Sequence, residues 1–223
     1  MKIAALISGG KDSIYAAFKA SKQNEIDCLI SLKSKRDDSY MFHIPNIDLV
    51  KLQAKAMNLP LIFMKSSGIK EKELDDIKKA LKTAIKKYKI QGVVSGALAS
   101  NYQKERIGNI CKDLKIKSIA PLWHIDPEQY LKELMKNNFK VILTGIAAEG
   151  LTKNFLGKKI NNSFLKKIKK LNIHLGGEGG EYESLVLDCP LFREKLKIKK
   201  AKIEMENECT GTFIVGDAEL VKK

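Results

Sequence analysis

Hydrophobic residues fall into short runs that alternate with segments of helical spacing over about two-thirds of the chain. The apolar runs predict strands over 2–7, 27–32, 61–64, 92–96, 117–120 and 141–146. The segments between them predict helices over 13–23, 46–57, 70–88, 100–114 and 127–137. In the third helix, apolar residues recur every three or four positions from Leu74 to Tyr88, which indicates one core-facing stripe. This alternation predicts an α/β fold with a parallel, doubly wound sheet and helices on both faces.

The last third of the chain has a different pattern. After Gly145 a helix is predicted over 161–171, followed by a glycine-rich stretch and short alternating strands over 201–205 and 212–215. We therefore divide the chain into a main domain, 1–146, and a smaller C-terminal α+β subdomain, 147–223. Ligands of open parallel sheets bind at the carboxyl ends of the strands, and we expect the subdomain to cover that edge.

The first predicted strand leads directly into the sequence Ser-Gly-Gly-Lys-Asp-Ser, and a predicted helix follows it. At such a turn the unpaired amides of the helix point outward and favour a bound phosphate. Adjacent glycines allow close approach of the backbone, the lysine adds charge and the serines add hydroxyl donors. We assign the whole loop to the nucleotide: Ser8, Gly9, Gly10, Lys11, Asp12 and Ser13. We expect Lys11 and Asp12 to project away from the core, toward phosphate and metal. An ordinary glycine-rich turn with a Ser or Asp helix cap is the alternative.

The loop is not a Walker A motif, which needs four residues between its glycines and a Lys-Ser/Thr pair after the second. It resembles instead the PP-loop of the N-type ATP pyrophosphatases. Those enzymes cleave ATP between its α and β phosphates and adenylate an oxygen of their substrate. The resemblance implies that this chain uses ATP with Mg²⁺, for which Asp12 is the candidate ligand, and that Lys11 and Asp12 are catalytic.

Four residues near strand ends are further candidates for nucleotide binding. Ser31 ends the second strand, where a PP-loop fold is expected to hold adenine or ribose. Small residues around Gly96 allow a nucleotide to lie against the backbone. Arg106 is one of three arginines and is a candidate clamp for phosphate or carboxylate, with a surface ion pair as the alternative. His43 either contacts a phosphate or a substrate carboxylate, or it caps the helix that Asn46 begins.

A second motif, Gly-Gly-Glu-Gly-Gly-Glu-Tyr-Glu-Ser, occupies residues 176–184. Its glutamates, Glu178, Glu181 and Glu183, alternate with glycines, which is not typical of a solvated run of charge. Clustered carboxylates suit Mg²⁺ together with phosphate oxygens. They equally suit an ammonium ion whose proton a carboxylate removes. We assign all three glutamates to catalysis, and an acidic flexible turn is the alternative.

Four stretches together resemble the archaeal diphthine–ammonia ligase family: 8–13, 95–106, 121–125 and 177–183. The resemblance implies an adenine nucleotide α-hydrolase-like fold and the last step of diphthamide synthesis. ATP would adenylate the carboxylate of diphthine, a trimethylated carboxypropyl-histidine on translation elongation factor 2. Ammonium would then displace AMP from this acyl-adenylate and leave an amide. No glutaminase domain is evident, which implies free ammonium as the nitrogen source. Within these stretches we assign the substrate to Asn101, Tyr102 and Tyr182.

Charge and composition narrow the class of partner. Lysine carries almost all of the net charge of +15, which suits a nucleotide and an acidic protein substrate. Pairs of lysines on helix-like segments are interpreted as solvated faces, so nucleic acid is not expected as a partner. No apolar run approaches the roughly 20 residues of a membrane span, and the N-terminus lacks a signal-peptide pattern. We expect a cytoplasmic enzyme without membrane contact, with a homodimer as one option for its assembly.

Two other functions stay open at this point. One is a PP-loop enzyme that thiolates or ligates tRNA, although paired cysteines and an RNA-binding appendage are not visible. The other is an ATP-binding module without catalysis. Release of pyrophosphate with ATP alone, with RNA or with elongation factor 2 separates the three functions.

Overall fold

The architecture is taken from a computed structural model that describes residues 1–34, 46–66, 72–99 and 101–223. Of residues 72 and 101–103 only the backbone is described. Within these ranges the chain forms two sheets, one parallel and one antiparallel.

The parallel sheet belongs to the first half of the chain. Its elements are β1 (Lys2–Leu6), α1 (Lys11–Ser21), β2 (Glu25–Ser34), α2 (Val50–Met57), β3 (Leu61–Ser66), α3 (Lys72–Tyr88), β4 (Gly92–Val94), α4 (Asn101–Asp113) and β5 (Lys117–Ile119). The strand order is β3-β2-β1-β4-β5, and all neighbours are parallel. The chain winds outward from β1 to β3 and then crosses to β4 on the other side of β1. The topological switch point, where such sheets bind ligands, therefore lies between β1 and β4.

Helices cover both faces of this sheet, which confirms the predicted doubly wound α/β fold. One face packs on α1 and α2 around Ile14, Leu29 and Val50, all buried. The other face packs on α3 and α4, where Ile77 and Leu81 are buried as the periodic stripe of α3 predicts. Burial of these apolar faces is the main source of the stability of the sheet.

The second half of the chain forms a mixed helical and antiparallel unit, as predicted for the C-terminal subdomain. Its elements are α5 (Pro127–Lys136), β6 (Lys140–Ala147), α6 (Asn162–Ile168), β7 (Tyr182–Asp188), β8 (Glu194–Met205) and β9 (Thr210–Lys222). The strand order is β7-β6-β9-β8. At the start of α5 the Asp126 side chain caps the helix by accepting from the Gln129 amide, and Pro127 occupies its first turn.

One predicted strand belongs to the other sheet. The alternating pattern predicts that the run over 141–146 is a further strand of the parallel sheet. In the structure this run lies in β6, which pairs antiparallel with β7 and β9. Its six central residues are buried on both faces, so its sequence has the continuous apolar pattern that is typical of parallel strands. The proposed division after residue 146 therefore does not coincide with the division between the two sheets, which falls between β5 and β6.

The two halves share one hydrophobic core that extends from α1 into α5, β6 and β7. Backbone hydrogen bonds also join them, since the Val186 amide donates to Gly9 and the Arg193 amide donates to Ala56. The second sheet therefore packs directly on the α1–α2 side and reaches the loop after β1. No helix in the described ranges is long and apolar enough to cross a membrane.

A glycine at the end of β4 sets how closely α1 approaches the sheet. A Cβ atom on Gly96 would lie 2.7 Å from the carbonyl carbon of Asp12 and 2.7 Å from the amide nitrogen of Ser13. We expect Gly96→Ala to lower the free energy of unfolding by about 2–3 kcal/mol, because the clash is with backbone. Gly108 on α4 is the matched control, since a Cβ there meets nothing within 4 Å.

Gly108→Ala should raise the free energy of unfolding by about 0.5–1 kcal/mol through helix propensity. Denaturant unfolding of both variants measures the two effects. Equal midpoints for Gly96→Ala and the wild type would contradict the proposed close approach of α1.

Candidate active site

The loop between β1 and α1, residues 8–13, is called the phosphate loop, and it lies at the switch point. The Ser13 hydroxyl closes the loop by accepting from the Ser8 amide at 3.1 Å and donating to the Gly10 carbonyl at 3.2 Å. Among the described residues, no backbone carbonyl accepts from the amides of Asp12 and Ser13 in the first turn of α1. These amides and the helix dipole favour an anion at this point.

Lys11 points into the protein. Its side chain is 2 % exposed, and its ammonium donates to the Gly176 carbonyl at 2.7 Å and to Asp12 Oδ2 at 3.0 Å. The ammonium also lies 4.9 Å from the centroid of the Tyr182 ring. The expectation that Lys11 projects away from the core is therefore wrong, because the second subdomain supplies partners that hold its charge in the interior. Burial opposes this charge, but the Asp12 carboxylate keeps the pKa of Lys11 above its ordinary value.

Asp12 is held by two elements. Tyr130 on α5 donates its hydroxyl to Asp12 Oδ1 at 2.8 Å, while Lys11 occupies Oδ2. The Asp12 side chain keeps 33 % of its surface exposed, so it still faces open space beside the first-turn amides. The sequence analysis missed Tyr130, which lies on the apolar stripe of α5 with Leu131 and Leu134. The only indication in the sequence is that the hydroxyl of a buried tyrosine needs a hydrogen-bond partner.

Residues 174–181 form what we call the acidic loop, and Glu181 determines its shape. Glu181 Oε1 accepts from the His174 amide at 2.9 Å, and Oε2 accepts from the Gly179 amide at 2.8 Å. His174 Nδ1 accepts from the amides of Gly176 and Glu178. Both oxygens of Glu181 are therefore bonded to the backbone of its own loop.

Glu178 connects the acidic loop to the parallel sheet. Its Oε1 accepts from the Ala99 amide, in the connection after β4, at 3.1 Å. Gly177 has a φ of +72°, and a Cβ there would lie 3.0 Å from the Tyr182 carbonyl, so the turn requires glycine. The Tyr182 hydroxyl donates to the Leu175 carbonyl at 2.6 Å. Hydrogen bonds therefore join the loop to the parallel sheet and to β7, which favours an ordered loop over the alternative of a flexible turn.

Glu183 has a different environment from the other two glutamates. It lies on β7 opposite Gly145 of β6, where a Cβ on the glycine would come within 3.0 Å of the Glu183 Cβ. Burial raises the pKa of Glu183 to about 7, while Lys11 lowers it and Asp12 raises it. A carboxyl group with this pKa can exchange a proton near neutral pH, a property that is typical of functional sites. The next residue, Ser184, accepts from the Lys11 amide at 3.1 Å.

A buried glutamine supports the phosphate loop from α2. Gln53 Nε2 donates to the carbonyls of Gly9, at 3.0 Å, and Val186, at 2.8 Å, so it joins the loop to β7. Gly9 has a φ of +87°, which favours glycine at this turn. Sequence analysis missed Gln53, although a polar residue between Val50 and Ala54 on a buried helical stripe was a usable signal.

The other predicted nucleotide residues lie at the carboxyl edge of the sheet or close to it. Ser31 is 2 % exposed, and no described residue is a hydrogen-bond partner of its hydroxyl. Gly96 faces α1, as described above, and Arg106 is half-buried on α4. The assignment of His43 to the nucleotide falls outside the described residues.

The predicted substrate residues are described only in part. The backbone of Asn101 and Tyr102 begins α4, but their side chains are not described. Tyr182 is buried. Its ring contacts the Lys11 ammonium and the Phe164 ring, and its hydroxyl donates to the acidic loop. All three assignments to the substrate stay predictions.

Comparison with known proteins agrees with this arrangement of two halves. Residues 1–118 match the family model of the diphthamide synthase N-terminal domain, and residues 126–221 match that of the C-terminal domain. The chain belongs to the diphthamide synthase family. In this family member the boundary between the two matches lies between residues 118 and 126. The boundary between the two sheets likewise follows β5 and precedes β6.

Named relatives of this diphthamide synthase family member extend over most of its length. Mouse diphthine–ammonia ligase is 35 % identical over 233 residues, which cover 93 % of this chain and 86 % of the relative. The human diphthine–ammonia ligase is 33 % identical, and the match covers 91 % of this chain and 85 % of the relative. A solved structure, described as a predicted subunit of tRNA methyltransferase from Methanocaldococcus jannaschii, has a TM-score of 0.41 at 15 % identity. The match covers 85 % of this chain and 98 % of the chain in that structure.

The hydrogen bond between Tyr130 and Asp12 provides a test of the site. Tyr130→Phe leaves Asp12 Oδ1 without its donor, so we expect the rate of AMP formation from ATP to fall about tenfold through loss of orientation. Tyr15→Phe is the matched control, because the Tyr15 hydroxyl bonds Glu133 at 3.0 Å and has no contact with Asp12.

Tyr130→Phe should lose about 1 kcal/mol of unfolding free energy with its one hydrogen bond to Asp12. Tyr15→Phe should lose about 2 kcal/mol, because the Tyr15 hydroxyl donates to Glu133 and accepts from Asn137. Denaturant unfolding and chromatography of the nucleotides provide the two readouts. Equal rates of AMP formation in the two variants would show that Tyr130 serves only stability.

Proposed function

We propose that this chain is an ATP-dependent, AMP-forming ligase that converts diphthine on translation elongation factor 2 to diphthamide with ammonium. The observation that carries the proposal is the contact between the phosphate loop and the acidic loop at Lys11. A loop for phosphate and a carboxylate with a raised pKa meet at the switch point of the sheet. Relatives named diphthine–ammonia ligase support the same reaction.

Activation of the substrate belongs to the phosphate loop. A carboxylate is a poor acylating agent, and its adenylation by ATP supplies AMP as a leaving group. The amides of Asp12 and Ser13 would hold the phosphates at the N-terminus of α1. The unpartnered hydroxyl of Ser31, buried one strand away, fits a hydrogen bond to the nucleoside. The donor set therefore suits an adenine nucleotide lying across β1 and β2.

Asp12 is the residue that would hold Mg²⁺. Within the described residues, no three side chains of His, Cys, Asp or Glu lie close enough to bind a metal by themselves. Mg²⁺ needs only one or two carboxylates when phosphate oxygens complete its shell. The partly exposed Asp12 carboxylate beside the first-turn amides fits that requirement. When bound, the metal would neutralise charge on the phosphates.

Glu183 would accept the proton of the incoming ammonium. Ammonium cannot attack a carbonyl carbon until it loses a proton, and a carboxylate with a pKa of about 7 is suited to that transfer near neutral pH. Glu178 and Glu181 already accept hydrogen bonds from backbone amides. We therefore assign the chemistry to Glu183 and the shape of the acidic loop to the other two glutamates.

The substrate is a protein, and its recognition belongs to the second subdomain. The net charge of +15 favours association with an acidic partner through long-range attraction. We place the reaction in the cytoplasm, where the elongation factor acts. A homodimer stays a prediction, and light scattering measures it.

The position of ATP cleavage tests the proposed reaction class. We expect AMP and pyrophosphate in equal amounts and no ADP when the protein is incubated with ATP, ammonium and diphthine-bearing elongation factor 2. Chromatography of the nucleotides separates these products. A dominant ADP peak would contradict the assignment to the PP-loop enzymes.

The proton transfer has its own signature in the pH dependence. The raised pKa means that Glu183 is protonated and inactive below about pH 7 and becomes a base above it. We expect Glu183→Gln to keep ATP affinity and to lower amide formation by on the order of 10²–10³ at pH 8. The ratio of wild-type to variant rates should rise through pH 7 and level off, and this ratio cancels the titration of ammonium itself.

Glu181→Gln is the control for this titration. Its carboxylate bonds only amides of the acidic loop in the structure, so the pH step near 7 should survive in that variant. A pH step that persists in Glu183→Gln would assign the base to another group.

A further inference from the structure

A cavity of about 470 Å³ opens on the second subdomain, between the segment 154–161 and α6. Phe155 and Phe164 contribute its apolar surface, and Lys158, Lys159 and Lys167 contribute cations. No aspartate or glutamate is among the described residues that line it. We call this the lysine cavity, and the reaction proposed above does not use it.

Two of its lysines lie on a fixed backbone. The Lys158 carbonyl accepts from the Leu143 amide at 3.0 Å, and Lys159 forms an isolated antiparallel bridge with Ile142, so the segment is joined to β6 by its backbone. Gly157, with a φ of +72°, makes the turn before them, and a Cβ there would lie 2.8 Å from the Phe213 ring. The segment therefore holds its position through sheet hydrogen bonds and a glycine-specific turn.

In the described part of the chain none of the three lysines of the cavity forms an ion pair, whereas Lys169, two residues after Lys167, pairs with Glu128 at 2.9 Å. Three lysines that line one concave surface attract an anion. The apolar surface of Phe155 and Phe164 suits uncharged side chains that lie between the anionic groups of a bound peptide. A groove for RNA would instead extend along the surface to follow a phosphate backbone.

The lysine cavity also adjoins the candidate active site. Phe164 lines the cavity, and its ring meets the Tyr182 ring edge-on, with 5.6 Å between centroids. The Lys11 ammonium lies 4.9 Å from the centroid of the same Tyr182 ring. A pair of contacting aromatic rings thus connects the cavity to the phosphate loop.

We propose that the lysine cavity docks an acidic segment of the protein substrate and so holds the modified histidine near the active site. This inference rests on the proposed function for the identity of the substrate. Its own basis is the charge complementarity between a carboxylate-rich peptide segment and three lysines that form no ion pair with any described residue.

The test is charge reversal in the full-length chain. The cavity variant carries Lys158→Glu, Lys159→Glu and Lys167→Glu. The control carries Lys55→Glu, Lys82→Glu and Lys86→Glu, which are exposed lysines outside the cavity. Each triple change removes six charges, so both variants have +9 in place of +15. The cavity variant changes one lysine in the last turn of a helix, Lys167, and the control changes two, Lys55 and Lys86. The helix-dipole penalty is therefore at least as large in the control as in the cavity variant.

We expect the cavity variant to raise the KM for diphthine-bearing elongation factor 2 by about tenfold or more, with kcat and ATP affinity nearly unchanged. The control variant should change this KM by less than about threefold, because long-range attraction alone is screened by salt. Thermal unfolding checks that both variants fold. Equal KM values in the two variants would overturn the proposal.

Binding without turnover separates this proposal from the proposed function. The factor is titrated against each protein in the absence of ATP, and a structured RNA is titrated in parallel. Factor binding that is lost only in the cavity variant supports the docking site, even if no amide is formed by the wild type. Amide formation with undiminished factor binding in the cavity variant keeps the reaction and rejects the site. Loss of RNA binding alone would make the cavity an RNA site and overturn the proposal.

Discussion

The buried ammonium of Lys11 links the two halves of the molecule. A charge in the interior is tolerated only when it is bonded on all sides, and removal of one partner leaves it exposed to the full cost of desolvation. Asp12 comes from the same turn, but the Gly176 carbonyl and the Tyr182 ring come from the second subdomain. Lys11 can therefore be buried only when both halves are in contact. The conformation of the phosphate loop depends on the same contact, because Ser184 and Val186 of β7 bond its backbone.

The contacts of Lys11 join residues that are far apart in the sequence. Local patterns therefore predict the fold better than they predict the site. Helices such as α3 follow from periodic apolar residues, because each such pattern buries one face whatever the partner is. The phosphate loop follows from six adjacent residues at a strand end. The sheet membership of β6 does not follow, since a strand buried on both faces looks the same in either sheet. Only the long-range pairing with β7 and β9 decides it.

The different environments of the three glutamates could not be predicted for a related reason. Glu178, Glu181 and Glu183 are equivalent in a sequence of alternating glycines, and the hydrogen bonds and burial of each one depend on how the acidic loop folds back. Tyr130 and Gln53 were missed because their partners lie 118 and 44 residues away along the chain. A polar residue on the apolar stripe of a helix indicates that it has a hydrogen-bond partner, but the stripe does not identify that partner.

The electrostatics of the site favour one order for the two proposed steps, in which adenylation by ATP precedes attack by the amine. Glu183 lies in the field of Lys11, which lowers its pKa, and of Asp12, which raises it. Polyphosphate at the first turn of α1 would add negative charge to the same region, and like charges raise the pKa of a carboxylic acid further. At neutral pH Glu183 would therefore be protonated more often while polyphosphate occupies the loop, and less often after pyrophosphate has left. In the proposed reaction its carboxylate would become available to accept a proton from the amine only after this departure, when the acyl group is ready to receive the amine.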